Sequence, residues 1–150
     1  MAYELARDGY VVSDDTSRLD VNYIHRFLSE ESYWAPGIPR DLVADSIANS
    51  ISLGLYLGEQ QVGFTRAVTD RARFAFVADV FVDETHRGKG LGKLLIEAVV
   101  THPQLRNLRR MILATDDAHG LYAQFGFSPL TRPERWMERG SAAFYRNMAS

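Results

Sequence analysis

The sequence contains no cysteine. This absence excludes disulfide bonds, cysteine-based zinc sites and a thiol nucleophile, and it fits a reducing compartment, so we expect a cytoplasmic protein. The chain also lacks an apolar run near the roughly 20 residues that a membrane-spanning helix needs. Its first ten residues carry charges rather than the apolar segment of a signal peptide. We therefore expect neither a membrane span nor a leader.

An excess of charge of either sign is also missing. The formal net charge is −2, so no overall basic field attracts nucleic acid, and we expect no nucleic-acid partner. A chain of 150 residues with 46% hydrophobic and 24% charged residues is typical of one globular domain, which we place over residues 1–150. No internal repeat is visible, and we expect no metal in the site.

Hydrophobic periodicity predicts a mixed α/β domain built on one sheet, in the order β-α-α-β-β-β-α-β-α-β. One helix is expected behind Asp20 as N-cap, one from Pro39, one over residues 91–99 and a short one over 120–125. Gly58 to Gln61 is interpreted as a four-residue hairpin loop. The predicted strands are residues 10–12, 52–57, 62–69, 73–82, 111–115 and 127–130, with a last edge segment at 136–137.

A loop with three alternate glycines joins a predicted strand to a predicted amphipathic helix. Gly88, Gly90 and Gly92 leave backbone N–H groups uncovered, and the helix N-terminus adds partial positive charge, which favours a bound phosphate or pyrophosphate. The spacing differs from a P-loop, because three residues rather than four separate Gly88 from Gly92-Lys93 and leucine follows. It also differs from the Rossmann pattern, whose third glycine comes one residue later.

The pattern that fits is R-x-x-G-x-G, formed by Arg87, Gly90 and Gly92. Downstream, Leu121-Tyr122 is followed by a Gly-Phe pair. Over roughly residues 10–138 the chain resembles the GNAT superfamily of acyl-CoA-dependent N-acetyltransferases. The resemblance implies a mostly antiparallel, twisted sheet flanked by about four helices. It also implies acetyl-CoA as cosubstrate, a primary amine as acceptor, direct attack without a covalent enzyme intermediate, and a homodimer as a further expectation.

The resemblance assigns the donor site to two segments. The backbones of Val80, Phe81 and Val82 would pair with the pantetheine arm, and a backbone N–H of Phe81 or Val82 would polarise the thioester carbonyl. Lys89 and Lys93 either reach the 3′-phosphate or are solvated, and the Arg87 side chain either adds charge or lies on the surface. The loop residues expected to hold the pyrophosphate are Arg87, Gly88, Lys89, Gly90, Leu91, Gly92 and Lys93.

Two residues are candidates for proton transfer. Tyr122 matches the position that protonates the leaving thiolate in the family, and the alternative is a packed helix tyrosine. Asp79 is a carboxylate in an apolar strand, which is costly unless the group is partnered or lines a cavity. It would point opposite to Val80 and Val82 and bind or deprotonate the acceptor amine; the alternative is a salt bridge to Arg66 or Arg73.

The acceptor side is expected between the N-terminal helices and their loop. Tyr33 and Trp34 form an aromatic corner that either walls a substrate site or covers the core. His119 lies three residues before Tyr122 and either relays protons or binds local backbone, while Asp116 and Asp117 are expected to cap that helix. Polyamine, amino acid, aminoglycoside, aryl amine and protein N-terminus remain open as acceptors. A CoA-binding module without turnover is the alternative function.

Overall fold

The computed structural model describes residues 1–140, so the last ten residues of the predicted domain lie outside the description. It confirms a mixed α/β fold with one six-stranded sheet and four α-helices in this range. The strands are β1 Glu4–Arg7, β2 Tyr10–Ser13, β3 Ile51–Leu57, β4 Gln60–Thr69, β5 Phe74–Val82 and β6 Arg110–Ile112. The helices are α1 Val21–Arg26, α2 Arg40–Ala48, α3 Leu91–Thr101 and α4 His119–Ala123.

The strands lie in the sheet in the order in which they occur in the sequence. Each neighbouring pair from β1 to β5 is antiparallel. β5 and β6 are parallel, because the chain crosses from the end of one to the start of the other through α3. The sheet is therefore antiparallel except at this last pair.

Apolar side chains cover both faces of the sheet. On one face α3 contributes Leu94 and Leu95, both fully buried, to a large core with the central strands. On the other face α1 and α2 form a smaller core, in which Phe27 stacks on Phe81 with ring centroids 3.8 Å apart. Burial of each such side chain contributes about 2 kcal/mol to folding, so both helical layers are held firmly against the sheet.

Helix α1 continues into a π-helical turn, Phe27–Glu31. The Ser32 N–H donates to the Phe27 carbonyl at 3.0 Å, a bond that spans five residues instead of four. The wider turn ends directly before Tyr33 and Trp34. It therefore sets the direction in which this aromatic pair leaves the helix.

Two hairpin turns differ from the sequence prediction. β1 is an additional strand, paired with β2 through the two-residue turn Asp8-Gly9, in which both residues have positive φ, 53° and 86°. Such an Asp-Gly turn is typical of tight hairpins and was the available signal for this strand. The predicted four-residue loop after β3 is also wrong, since Leu57 pairs with Gln60 and leaves two residues, Gly58 and Glu59, in the turn.

The strand predicted over residues 127–130 is absent from the described structure, as is the edge segment at 136–137. The Phe127 N–H donates to the Tyr122 carbonyl at 3.3 Å and so satisfies the end of α4 rather than a neighbouring strand. Pro129 has no N–H to offer. β6 is also shorter than predicted and ends at Ile112.

Two features are absent from residues 1–140. No helix in this range has both the length and the apolar character needed to cross a membrane. The same residues contain no group of three or more histidine, aspartate or glutamate side chains placed to hold a metal ion.

Candidate active site

Strands β5 and β6 separate soon after they begin to pair. Phe74 to Phe76 of β5 lie opposite Arg110 to Ile112 of β6, and β6 then ends, whereas β5 continues to Val82. The edge of β5 beyond Phe76 therefore has no strand partner among the described residues. We call the space between this edge and the segment after β6 the cleft.

A β-bulge in β5 accompanies this separation. Pairing with β4 steps from Ala78 opposite Arg66 to Phe81 opposite Phe64, so Asp79 and Val80 together face a single residue of β4. Asp79 has a φ of 57°, which lies in the left-handed region. A bulge bends its strand and increases the local twist, which accounts for the divergence of β5 from β6.

The backbone N–H of Val82 points into the cleft. The N–H of the next residue, Asp83, donates to the Val62 carbonyl of β4 at 2.7 Å. Because hydrogen bonds alternate along an antiparallel pair, the Val82 N–H faces the opposite edge and the Phe81 N–H faces β4. Of the two backbone donors that the sequence offered for the thioester carbonyl, Val82 is therefore the one directed toward the cleft.

Beyond the start of the bulge, the side chains from Asp79 to Val82 alternate across β5 as predicted. Phe81 is 4% exposed and belongs to the smaller core, whereas Val80 and Val82 are partly buried against the larger core on the α3 side. Asp79 faces the same side as Phe81, where it meets Trp34. The acidic side chain thus lies on the face covered by the N-terminal helices.

The Asp79 carboxylate is held by two donors. The Trp34 indole N–H donates to one oxygen at 2.8 Å, and the Arg66 Nε donates to the other at 2.5 Å. The Asp79 and Arg66 side chains are 9% and 18% exposed. The salt bridge to Arg66 that the sequence offered as an alternative is therefore formed, and a carboxylate with one donor on each oxygen keeps further lone pairs free.

The glycine loop follows β5 through a short turn and opens α3. Gly88 and Gly90 have φ values of 81° and 75°, which other residues adopt only with strain. A Cβ at either position would meet nothing within 4 Å, so open space lies in front of both. Gly90 is the N-cap of α3 without a side-chain hydrogen bond, and the N–H groups of the first helical turn have no partner within the helix. This end of the 11-residue helix α3 is suited to an anion.

The basic residues of the loop are not all alike. The Arg87 Nε donates to the Val82 carbonyl at 3.0 Å, which fixes its side chain at the end of β5. The Lys89 ammonium lies 3.4 Å from the Tyr10 hydroxyl. Lys93 is exposed on the first turn of α3.

Gly92 lies close to Leu121 of α4. A Cβ added at Gly92 would be 3.5 Å from the Leu121 Cδ2. That distance is an ordinary van der Waals contact, so α3 and α4 pack against each other at this position.

Tyr122 of α4 is 8% exposed, and its ring packs edge-on against Phe127 with centroids 6.0 Å apart. Burial, assisted by the nearby Tyr33 and Asp117, raises the pKa of Tyr122 to about 12. The hydroxyl is protonated at neutral pH, as that of an ordinary tyrosine is, and the raised pKa makes it a weaker acid. A cavity of about 1130 Å³ beside β6 is lined by Tyr122, His119 and Thr115, among others.

The predicted capping of α4 by Asp116 and Asp117 is wrong. The Thr115 hydroxyl accepts from the Ala118 N–H at 3.1 Å and the Asp117 N–H at 3.4 Å, and both aspartates are exposed. A threonine hydroxyl can bond backbone groups two and three residues on, so it serves the turn that the carboxylates were expected to serve. His119 begins α4 and is exposed.

The aromatic corner bridges the two sides of the cleft. Trp34 reaches Asp79 on β5, and Tyr33 packs edge-on against Trp34 with centroids 5.0 Å apart. The Tyr33 hydroxyl accepts from the Asp116 N–H at 3.0 Å, in the segment that follows β6. Tyr33 remains 51% exposed. The corner therefore packs on the smaller core through Trp34 and also borders the cleft.

The structure brings most predicted site residues around the cleft, and it adds others that sequence reasoning missed. The loop, the β5 segment, Asp79, Trp34, Tyr33 and Tyr122 lie on elements that border the cleft. Tyr10, which contacts Lys89, was missed because a tyrosine in a short apolar strand carries no functional signal. The bond between Tyr33 and Asp116 joins residues 83 positions apart and has no local signal either.

Comparisons with known proteins agree with this geometry. The model of the Acetyltransferase (GNAT) family matches residues 16–127. A protein of Gibberella zeae that carries the name of an acetyltransferase is 33% identical, and the match covers 75% of this chain and 76% of that protein.

Solved structures with the same fold come from several organisms. A GNAT-family acetyltransferase structure from Xanthomonas campestris pv. campestris is 46% identical, with a TM-score of 0.90 over 93% of this chain and 99% of that one. A structure from Clostridium acetobutylicum, described as an acetyltransferase with acetyl-CoA, has a TM-score of 0.61 at 17% identity, over 93% of this chain and 96% of that one. At that identity it supports the fold alone. The family match over most of the chain, together with the curated relative, shows that this protein belongs to the GNAT family of acetyltransferases.

Proposed function

We propose that this acetyltransferase transfers the acetyl group of acetyl-CoA to a primary amine by direct attack. The observation that carries the proposal is the succession of two features along the chain. The edge of β5 that has no strand partner is followed, after the turn and glycine loop of residues 83–90, by the N-terminus of α3. Coenzyme A presents an arm with amide groups followed by a pyrophosphate. A strand edge followed by an anion site offers complementary partners in the same order.

The donor would be held mainly by backbone groups. N–H groups of the first turn of α3 would bind the pyrophosphate, because they lack partners within the helix and Gly90 leaves them uncovered. Arg87, Lys89 and Lys93 would add positive charge around it. The cleft edge of β5 from Val80 to Val82 would pair with the amide groups of the pantetheine arm, beside the Val82 carbonyl that already accepts from Arg87.

The transfer step needs a polarised carbonyl and a proton for the leaving group. In the proposal the Val82 N–H donates to the thioester oxygen and stabilises the negative charge that develops there. The amine nitrogen forms a C–N bond, the C–S bond breaks, and the amine gives its proton to water. Tyr122, whose hydroxyl is protonated at neutral pH, gives a proton to the leaving thiolate.

The acceptor would approach from the side of the aromatic corner. Tyr33 and Trp34 would wall this side, and a free lone pair of the Asp79 carboxylate would hold the ammonium group or take its proton through water. The Arg66 partner reduces the net charge that Asp79 offers, which favours an acceptor with a single amine over a highly charged polyamine. His119, exposed at the start of α4, would contact the distal part of the acceptor.

An amine panel with a thiol-release assay tests the proposal. The protein contains no cysteine, so every thiol detected comes from CoA. We expect acetyl-CoA to bind to the wild type and thiol to be released with at least one primary amine, with the acetylated product found by mass spectrometry. Binding without release across the panel would favour a CoA-binding module without turnover. Absence of acetyl-CoA binding would contradict the donor assignment.

A further inference from the structure

The Tyr10 hydroxyl lies between two residues that flank the glycine loop. It is 2.9 Å from the His86 Nδ1, directly before the loop, and 3.4 Å from the Lys89 ammonium, inside the loop. Tyr10 belongs to β2, which β3 and β4 separate from β5 in the sheet. Its side chain is 6% exposed. The transfer step described above makes no use of Tyr10 or His86.

The two hydrogen bonds of the Tyr10 hydroxyl differ in what fixes their direction. The ammonium of Lys89 can only donate, so the Tyr10 oxygen accepts from it. The Tyr10 hydroxyl donates to the His86 Nδ1 when that histidine carries its proton on Nε2, and it accepts when the proton is on Nδ1. With either tautomer, the Tyr10 hydroxyl joins His86 to Lys89.

Ring packing also joins Tyr10 to His86. The two rings meet edge-on, with centroids 5.8 Å apart and planes at 84°. The Lys89 ammonium lies beside the Tyr10 hydroxyl, 5.9 Å from the centre of the ring. A buried side chain of the sheet thus contacts one residue before the glycine loop and one residue within it.

This contact matters because Lys89 lies between Gly88 and Gly90. Glycine has access to more backbone conformations than any other residue, so a lysine between two glycines would lose considerable entropy when it binds a phosphate. A side chain already fixed in the free protein loses less.

We propose that Tyr10 is a positioning residue for the phosphates of the donor, acting through Lys89 and His86 to hold the glycine loop ready for binding. The inference rests on the proposed function, because it requires that the loop binds acetyl-CoA. It assigns Tyr10 no contact with the reacting atoms. Its removal should therefore weaken donor binding and leave the chemical step intact.

Calorimetric titration with acetyl-CoA and steady-state kinetics test this on the full chain. Tyr10→Phe keeps the buried ring and removes the hydroxyl, and we expect the Kd and the KM for acetyl-CoA to rise about tenfold. The kcat at saturating donor should stay within about twofold, since an interaction equal in ground and transition states affects KM alone. Tyr56→Phe is the matched control: Tyr56 is a buried β3 tyrosine whose hydroxyl has no hydrogen-bond partner in the described part of the chain.

A double-mutant cycle separates positioning from general stability. In a Lys89→Met background, Tyr10→Phe should change the Kd by less than about threefold, because its effect passes through Lys89. Full additivity would overturn the inference, as would an unchanged Kd in Tyr10→Phe. If Tyr10→Phe fails to fold, His86→Phe is the second variant, because it keeps the edge-on packing and removes the hydrogen-bond partner of the Tyr10 hydroxyl. It should weaken acetyl-CoA binding several-fold. An unchanged Kd in His86→Phe would overturn the inference equally. A wild type that does not bind acetyl-CoA would instead refute the proposed function.

Discussion

Replacing Arg66 by methionine should destabilise the fold by about 3 kcal/mol, since removal of one partner of a buried ion pair typically costs about 3–5 kcal/mol. The Asp79 and Arg66 side chains are only 9% and 18% exposed, so the remaining carboxylate has little access to water. The Trp34 indole still donates to Asp79, which places the loss at the lower end of the range. Arg66 also donates to the Ser50 hydroxyl at 3.2 Å, but that hydroxyl keeps its own bond to the Ser46 carbonyl.

Urea unfolding measures this loss directly. The two tryptophans report on different regions, Trp34 beside the ion pair and Trp136 beyond α4. Coincident transitions with an unchanged m value would show that the free energy of unfolding has changed rather than the unfolding mechanism. Arg7→Met is the control, because Arg7 pairs with Glu97 at 2.7 Å on the surface, where a single pair contributes about 0.5 kcal/mol.

A second variant tests the stated reason for the loss. In Arg66→Met/Asp79→Asn the charge is gone and the amide oxygen can still accept from Trp34. This double variant should be more stable than Arg66→Met alone. A loss below about 1 kcal/mol in Arg66→Met would refute the reasoning from burial, because that is the range of exposed pairs. A double variant less stable than the single one would show that the cost does not come from an unpaired carboxylate.

The other predictions concern the donor site and the transfer step. Gly90→Trp should abolish acetyl-CoA binding in calorimetry, because its side chain would project into the open space before α3, whereas Gly58→Trp carries a similar backbone strain (φ 61°) in a hairpin turn and should bind normally. Tyr122→Phe should lower kcat at least tenfold with an unchanged Kd for acetyl-CoA, and an unchanged kcat would remove Tyr122 from the mechanism. Burial raises the pKa of Tyr122 to about 12, so ionisation of this group should not lower the wild-type kcat below about pH 10. In the unfolded chain a tyrosine has a pKa of about 10. The stability that neutral Tyr122 contributes to the fold should therefore be lost as the pH rises from about 10 through 12. Asp79→Asn should raise the KM for the acceptor several-fold, and an unchanged acceptor KM and pH profile would leave Asp79 with a purely structural role.

The sequence predicts the central elements well because their apolar pattern is strong. β3 and β4 carry long buried runs, α3 has a buried apolar face, and β5 is apolar along most of its length. The glycine spacing identifies the loop before α3 without any tertiary information. β1 is exposed along most of its length and has no such pattern, so only its Asp-Gly turn signals it. The strand predicted over 127–130 is wrong because the Phe127 N–H completes α4 instead, a competition between two hydrogen-bond partners that a hydrophobic pattern does not contain.

The candidate site is harder to predict from the sequence, because its contacts join residues that are distant along the chain. The sequence identifies Asp79 as an unusual carboxylate but leaves the salt bridge and the acceptor role as alternatives, and the packing of β4 beside β5 brings Arg66 to it. The bulge at Asp79 depends on a positive φ that an aspartate tolerates but does not dictate. The bond between Tyr33 and Asp116 joins residues 83 positions apart, so it depends on the tertiary packing around the sheet rather than on local sequence.

The π-helical turn at Phe27–Glu31 has a consequence for where the N-terminal segment can change in length. A π turn holds one residue more than an α turn, so deletion of one residue within it would restore an α-helical turn with nearly the same direction at each end. Deletion of one residue from α1 itself would instead rotate the chain that follows by about 100°. The π turn is therefore a point at which the chain can shorten by one residue while Trp34 still reaches Asp79.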